Sequence, residues 1–462
     1  MADLDVRAID AALAAALPAG ALFAVGGRVR DELRAEIEGA PLAVKDLDYV
    51  VTGLALDELT ARLSRIGKTD VVGASFAVVK WSRDGVTVDL ALPRRERSTG
   101  AGHRDFAVEC GPAIPLAEDL ARRDFRMNML ARALPAGDLV DPYGGETDIR
   151  RRRIDILRPA AFVEDPLRML RAGQFAARFA YAPTEATREA MRSAAPLVAT
   201  VSPERVRDEF VKLIGLAERP SIGLELLRET GVLGYVLPEL IEGVGVEQNE
   251  WHAFDVYRHA IATLDATPQG DLSLRFAALL HDIGKPRTKV GPHFYRHEIV
   301  GESMTIELMD RLRFSLDEQR SVAHLVRHHM YAADPEFADA TIRRFVRRVG
   351  PEYLDRQFAL RAADVAGSGL PKRDDGNERF QDRVRQILAQ RPPFSVRDLA
   401  IGGSEVLAAL IAAGRLPIGS RGGPQVGRIL RELFERVTDD PALNEHARLL
   451  DLVKEGLARS DG

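Results

Sequence analysis

The spacing of apolar positions changes character along the chain. Leu22-Phe23-Ala24-Val25 is a continuous apolar run of strand length, and after two glycines Val29, Leu33 and Ile37 recur at helical spacing. This pattern predicts a strand, a tight glycine turn and a helix. Asp46-Leu47-Asp48-Tyr49-Val50-Val51 is a second β-prone run. Phe76–Trp81 and Val86–Leu92 are two more, joined by the hairpin signal Ser82-Arg83-Asp84-Gly85. In the last run Val86, Val88 and Leu90 share a face, which turns Asp89 to the other. From Leu116 onward the chain reads as almost entirely helical, punctuated by Pro142, Pro159, Pro166, Pro203, Pro220 and Pro238. Breaks at Ala266–Gly270 and Gln390–Pro393 divide the helical part. Phe394 to Arg459 reads as amphipathic helix with a glycine-rich break at Ile418–Pro424. A length of 462 residues suggests roughly three domains.

Chemistry enters at the first strand. Gly26 and Gly27 let backbone approach an anion closely, and the helix N-terminus that follows adds positive potential. Asp46 and Asp48 fall on one face of their strand, where two carboxylates repel unless a cation lies between them. Mg²⁺ suits carboxylates and substrate phosphates together. Asp89, on a neighbouring strand, is a candidate third carboxylate, or a solvent-facing residue. A phosphate cradle beside a carboxylate pair points to phosphoryl or nucleotidyl transfer. The loop does not follow G-x-x-x-x-G-K-[ST], so a P-loop enzyme is disfavoured.

The formal charge of −5 limits any nucleic-acid surface to a local patch. Arg150–Arg153 and Arg343, Arg344, Arg347 and Arg348 are candidates, with solvated faces as the alternative. The single cysteine, Cys110, excludes an internal disulfide and a Cys-x-x-Cys metal site. Asp3 and Asp5 have the wrong sign for a signal peptide, and no apolar run reaches membrane-spanning length. A cytoplasmic protein is expected.

Two further constellations follow. Leu120–Asn128 is expected to start a helix carrying Arg122 and Arg123 for phosphate oxygens, with Asp124 able to hold a ribose hydroxyl. Asp165 and Arg168, three apart, are expected on one helix face, with Glu164 bracing the arginine. A carboxylate beside a guanidinium matches the amino group and ring nitrogen that cytosine and adenine both present. Uracil and guanine would leave buried groups mismatched. A helix cap with an ion pair would look the same in sequence. Farther on, His281-Asp282 precedes Gly284-Lys285. His259 lies upstream, with His297, His328-His329 and Asp364 downstream. Imidazoles with carboxylates suit Mn, Fe, Ni or Zn.

These motifs resemble, in order, those of the class II tRNA nucleotidyltransferase and bacterial poly(A) polymerase family. The match runs through Gly26-Gly27-x-Val29-Arg30-Asp31, Asp46-x-Asp48, Arg122–Phe125, Asp141–Gly145, Glu164-Asp165-x-x-Arg168 and Ser202–Val206. Arg94–His103 resembles the flexible loop of full CCA-adding members. The resemblance implies an α+β fold: a small mixed sheet-and-helix, polymerase-β-like head at 1–150, a helical neck with a base template at 151–245, a helical body at 246–390 and a helical tail touching tRNA at 391–462. It implies Asp46 and Asp48 as the catalytic, Mg²⁺-binding pair; Gly26, Gly27 and Arg30 around the triphosphate; Arg123, Asp124, Asn128 and Arg171 at the nucleotide; and Asp165 and Arg168 as the template. Substrates would be tRNA, CTP and ATP. Two departures stand out: Arg126-Met127 replaces a common Thr-Ile, and Gln174 replaces a common arginine. The histidine spacing resembles the HD phosphohydrolase superfamily, which implies His259, His281, Asp282 and Asp364 as core metal ligands. It implies His297 with His328 or His329 at a second metal, and Lys285 facing a phosphate. His252 and His293 could as easily be structural. Addition of C, C and A to tRNA is the reading so reached. Partial CC or A addition, poly(A) synthesis, an HD phosphodiesterase or phosphatase, and an RNA-binding module with an inactive head are the alternatives.

Overall fold

The computed structural model describes residues 6–42, 47–72, 77–98, 106–371 and 376–459. Asp46 and residues 99–103 of the expected flexible loop lie outside that set.

The head begins with α1 (Val6–Ala16), β1 (Leu22–Val25), α2 (Gly27–Glu38), β2 (Asp48–Val51) and α3 (Leu56–Leu63). The strands β3 (Lys68–Val72), β4 (Val78–Arg83) and β5 (Val86–Ala91) follow. Asp84 and Gly85, both at positive φ, make the two-residue turn between β4 and β5 that a right-twisted hairpin favours. An arm of β6 (Arg94–Ser98) paired to β7 (Phe106–Cys110) leads to α4 (Leu116–Ala121). Then come β8 (Ala131–Ala133), β9 (Leu139–Val140) and α5 (Gly145–Arg150). The sheet has the order β3-β4-β5-β2-β1-β8-β9, with β2 and β5 parallel. The expectation of helix from Leu116 onward is therefore corrected. β8 pairs with β1 and carries β9, extending the sheet beyond what the sequence suggested.

One face of this sheet supplies Leu22, Tyr49, Val51, Val79, Trp81, Val88 and Leu90 to the main core, against Leu13 of α1 and Leu59 of α3. On the other face Val25 and Val50 pack against Leu120 and Met129. Asp48 lies two residues before Val50, so it belongs to this second face. A buried guanidinium fixes the sheet's position. Arg28 donates to Asp10 at 2.9 Å and to the Tyr49 hydroxyl at 3.1 Å, tying α1, α2 and β2 together.

The neck comprises α6 (Ala161–Glu164), α7 (Leu167–Phe179), α8 (Glu185–Ala194), α9 (Pro203–Leu216), α10 (Ser221–Glu229), α11 (Val232–Val236) and α12 (Pro238–Ile241). A two-residue bridge, β10 (Arg153–Ile154) with β11 (Ala182–Pro183), joins it to the head. The body comprises α13 (Val256–Asp265), α14 (Leu272–Leu280), α15 (Lys285–Thr288), a small hairpin β12 (Lys289–Val290) and β13 (His293–Phe294), α16 (His297–Arg311) and α17 (Leu316–His328). It continues with α18 (Asp339–Val349), α19 (Leu354–Gly367) and α20 (Asn377–Ala389). The tail is α21 (Gly403–Ala412), α22 (Pro424–Asp439) and α23 (His446–Arg459). One continuous apolar core runs from Leu13 in the head through the neck to Leu325 and Leu360 in the body. The outer body and the tail have cores of their own.

Candidate active site and metal centre

A cleft of about 720 Å³ lies between head and neck, lined by Gly26, Gly27, Asp48, Asp124, Asn128, Glu164 and Asp165. Its cations are Arg30, Arg94, Arg122, Arg123, Arg158, Arg168, Arg171 and Arg205. Arginines thus outnumber carboxylates two to one on its walls, which suits a polyanionic ligand.

The glycine turn is positioned by sterics. Gly26 has φ +69, and a Cβ there would lie 2.5 Å from Nη1 of Arg123. Its own N–H donates to the Leu130 carbonyl, so it is the following helix N-terminus, from Gly27, that faces the cleft, and a helix's first N–H groups have no partner within the helix. Asp48 stands in register with Asp89 on the adjacent parallel strand, and partners in that register point to the same face. Asp48 lines the cleft with this helix terminus and Asp89 does not, and two carboxylates on one face of the sheet are a donor set that fits a hard cation.

Arg30 is buried and held by Asp31 at 2.8 Å and by Asn128 Oδ1 at 2.8 Å. The Asn128 amide donates to Asp124 Oδ1, and Arg171 pairs with Asp124 Oδ2 at 2.8 Å. Burial works to raise the Asp124 carboxyl, but the Arg171 charge and the amide donors of Asn128 and Phe125 hold it below its ordinary range. Burial presses the Arg123 guanidinium below its usual value, and Asp119 opposes this. The helix expected to start at Leu120 is corrected: α4 ends at Ala121, and only a single turn at Arg126–Asn128 follows. Asp124 accepts from the next backbone N–H, a local competition that breaks the helix.

The template pair is likewise arranged differently from a shared helix face. Asp165 ends α6, while Arg168 sits in the first turn of α7. Asp165 accepts from Arg205 at 3.2 Å. Arg168 donates to the carbonyl of Arg122 at 2.6 Å, with Glu164 4.0 Å away. Both still line the cleft. Arg205 was visible only as part of the Ser202–Val206 motif. Asp119, completely buried, was missed; it accepts from Arg122 at 2.9 Å and from the Arg94 backbone N–H at 3.2 Å. Gln174 is buried, and its amide nitrogen makes no hydrogen bond among the described residues.

Members of both basic runs are ion-paired, although Arg150 and Arg152 stay exposed. Arg150, Arg152 and Arg153 pair with Glu146, Glu38 and Asp148. Arg343 donates to the carbonyls of Thr438 and Asp439, and Arg344 and Arg347 pair with Asp439 and Glu435, so this run holds the tail.

In the body, α14 delivers His281 and Asp282 at its end. A Cβ on Gly284 would come within 2.3 Å of the His297 carbonyl, so glycine lets α16 approach this turn. Around Asp282 the imidazoles form two pairs. Nε2 of His259 and His281 are 3.1 Å apart and face Asp282 Oδ2 at 3.5 and 3.2 Å. Nε2 of His297 and His329 are 3.2 Å apart and face Oδ1 at 3.4 and 3.6 Å. Asp364 lies 3.0 Å from His259 Nε2. Every Nδ1 meets a backbone carbonyl: His259 with Gly367, His281 with Ala278, His297 with Phe294 and His329 with Val326. A carbonyl only accepts, so each Nδ1 donates, which leaves each Nε2 to face the carboxylates or a metal ion. Paired Nε2 atoms at this distance fit a cation between them, and orientation of the ring by a backbone carbonyl is how metal-binding histidines are held.

Of the alternatives His328 and His329, the structure brings His329 to the cluster. His328 points away against His324, its ring centroids 4.5 Å apart, and burial lowers its pKa to about 4. His252 joins the cluster, grouped with His259 and Asp364, and burial together with Lys285 and His259 lowers its pKa to about 4. His293 is exposed at the mouth of the adjoining cavity. Burial opposes ionisation of Asp282, but His281 and Lys285 hold it well below the carboxylate range. Lys285 Nζ lies 2.6 Å from Asp282 and donates to Gln248. Among the described residues no helix is long and apolar enough to cross a membrane.

The family model for the "Poly A polymerase head domain" matches residues 22–155. That for the "Probable RNA and SrmB- binding site of polymerase A" matches 181–243, and the HD domain matches 252–366. The "Multifunctional CCA protein" of Xanthomonas campestris pv. campestris is 37% identical over 427 residues, covering 88% of this chain and 96% of that protein. The protein of the same name from Azoarcus sp. is 37% identical, covering 82% and 90%. The fold matches the Bacillus stearothermophilus CCA-adding enzyme in complex with CTP, with a TM-score of 0.69 and 23% identity over 95% of this chain and 94% of that one. It also matches the Thermotoga maritima CCA-adding enzyme complexed with tRNA, with a TM-score of 0.57 and 19% identity over 98% and 95%. With three domain matches in sequence order and relatives aligned over most of its length, the chain belongs to the multifunctional CCA protein family, nucleotidyltransferases that carry a poly(A)-polymerase-type head and an HD domain.

Proposed function

We propose that this protein adds C, C and A to the 3′ end of tRNA from CTP and ATP, releasing pyrophosphate. One observation carries the reading: a carboxylate and a guanidinium able to read the shared edge of cytosine and adenine stand in the same cleft as the glycine turn, Asp48 and eight arginines. Asp48, Asp89 and Asp46 would hold Mg²⁺, which supplies charge neutralisation and activation of the primer hydroxyl when bound. The helix terminus at Gly27 with Arg30 and Arg123 would bind and orient the triphosphate. Arg171, kept in place by Asp124, would contact the incoming nucleotide. Asp165 and Arg168 would accept and donate to the base and leave uracil or guanine mispaired. The test is extension of tRNA transcripts ending in the discriminator base, C, CC or CCA with labelled CTP, ATP or both. Growth that stops at CCA and is lost in Asp46→Asn/Asp48→Asn is expected. Stopping at CC, adding only the last A, or long A tails would replace the reading with a sister activity.

A second activity is favoured by the body's histidine cluster, whose paired Nε2 atoms are set up for ions. A transition metal there would activate water, and Lys285 would face a phosphate. Phosphodiester or phosphomonoester hydrolysis on nucleotides or RNA ends is the reaction class. Hydrolysis that needs added Mn²⁺ or Ni²⁺ and vanishes in His281→Ala/Asp282→Ala, while tRNA extension persists, is the expected result.

A further inference from the structure

The cluster around Asp282 is lopsided. Toward Oδ2 lie His259 and His281, with Asp364 3.0 Å from His259. His252 adds a further imidazole on this side, its ligand atom within 4.8 Å of those of His259 and Asp364. It comes from the loop before α13, outside the helices that carry the other ligands, and its ring lies 4.6 Å from that of His259, edge on. Nδ1 of His252 donates to Asn249 Oδ1 at 3.1 Å, so this fifth ring repeats the arrangement of the other four, with a side-chain oxygen in place of a carbonyl. Toward Oδ1 the donors are only His297 and His329, which with Asp282 form a group of three.

Two metal positions that share Asp282 are what the HD resemblance implies; we propose that His252 is a further ligand of the inner one, adding to its lead in donors over the outer. The inner position is bounded by His252, His259, His281, Asp282 and Asp364, enough protein donors to fill the sphere of a first-row ion. The outer position has three protein donors, the number found where a metal keeps a place open for water or substrate. The cavity of about 510 Å³ that opens on the cluster is lined by all three outer ligands and, on the inner side, by His252 and Asp364, whereas His259 and His281 lie behind them. The inner ion would bind tightly and order the turn at His281; the outer ion would exchange and meet the substrate. The proposal rests on the metal-holding reading of this centre, and its test separates the two.

The experiment is titration of the metal-free full-length protein with Co²⁺, followed by calorimetry and visible absorption, with melting curves of each metal-free variant as a check on folding. Two binding events at least tenfold apart in affinity are expected. His252→Ala should weaken the tighter event at least tenfold and leave the weaker within twofold. His297→Ala should abolish the weaker event and leave the tighter. His252→Gln, which keeps a polar side chain of similar reach, should behave as His252→Ala if either variant melts early. No Co²⁺ bound by the wild type would sink the metal reading altogether. Two events of equal affinity, or unchanged binding in folded His252 variants, would leave the metal reading standing and overturn the assignment of His252 to a better-filled inner position.

Discussion

In the proposed function, selectivity at the head rests on two side chains that the protein already engages. Arg168 donates to the carbonyls of Arg122 at 2.6 Å and Ala161 at 3.5 Å, and a guanidinium has five donors, so donors remain for a base. Arg168→Ala should therefore raise UTP incorporation relative to CTP by at least about tenfold while slowing CTP addition less. Competition between the two nucleotides on one tRNA primer measures it, and unchanged selectivity would remove Arg168 from the template. Asp124 has a pH signature. Its carboxyl lies below its ordinary value of 3.8 in the fold, so its contribution to stability is full above that value and is lost as pH falls through the lowered one. The stability gap between wild type and Asp124→Asn should be largest near neutrality and shrink below about pH 4, as read by urea unfolding across the pH range. Much at this scale was legible in sequence. The glycine turn, Asp48, Arg123 and Arg171 are spaced by local structure, and the cleft collects them. The choice between His328 and His329 was not legible, because one residue at a helix end turns the side chain by about 100° and only the packed helix fixes the phase. His252, left open between a ligand and a structural role, meets residues brought to it by the fold, whereas Asp119 was missed although Arg122 and Arg123 stand three and four residues on.

Among elements, those with strong local signals were readable and those held by partners were not. The β4–β5 hairpin announces itself through Asp84-Gly85. β8, which reads Ala-Arg-Ala, has little β propensity and exists because β1 offers it an edge. The arginine run of α18 looked like a nucleic-acid face, yet Arg343 is buried and caps the last carbonyls of α22. Arg343→Ala should cost about 1–3 kcal/mol by leaving those buried acceptors unmet. Its expected mark is faster proteolytic cleavage between α20 and α21, with the head's tRNA extension of C and A still measurable on a short time scale. Equal cleavage rates in wild type and variant would mean the tail is held by its apolar contacts alone.

Across the whole molecule, motif boundaries and core boundaries differ. The family matches split the chain near residues 155, 181 and 252, but one apolar core crosses all three points. Phe276, Leu279 and Leu280 of α14 belong to the same cluster as Phe210 and Leu213 of α9. A fragment ending at residue 245 would expose that seam and should aggregate, whereas one ending at residue 390 leaves the tail's separate cluster behind and should stay soluble. Size-exclusion chromatography of the two fragments decides it, and a soluble, monomeric 1–245 fragment would contradict the shared core.

The imidazole cage of the body is set before any ion arrives, since each ring is locked by an oxygen of its own turn or of a neighbouring element. Such a cage has little slack with which to reject a passenger. Mixed nitrogen and oxygen donors rank divalent ions by an intrinsic order in which nickel and copper outbind iron and manganese. The ion found in the protein would then record what its surroundings supplied. Cells grown rich in one metal or another would yield the same polypeptide with different occupants, and the hydrolysis proposed for the body would rise and fall with metal supply while nucleotide addition at the head went on unchanged.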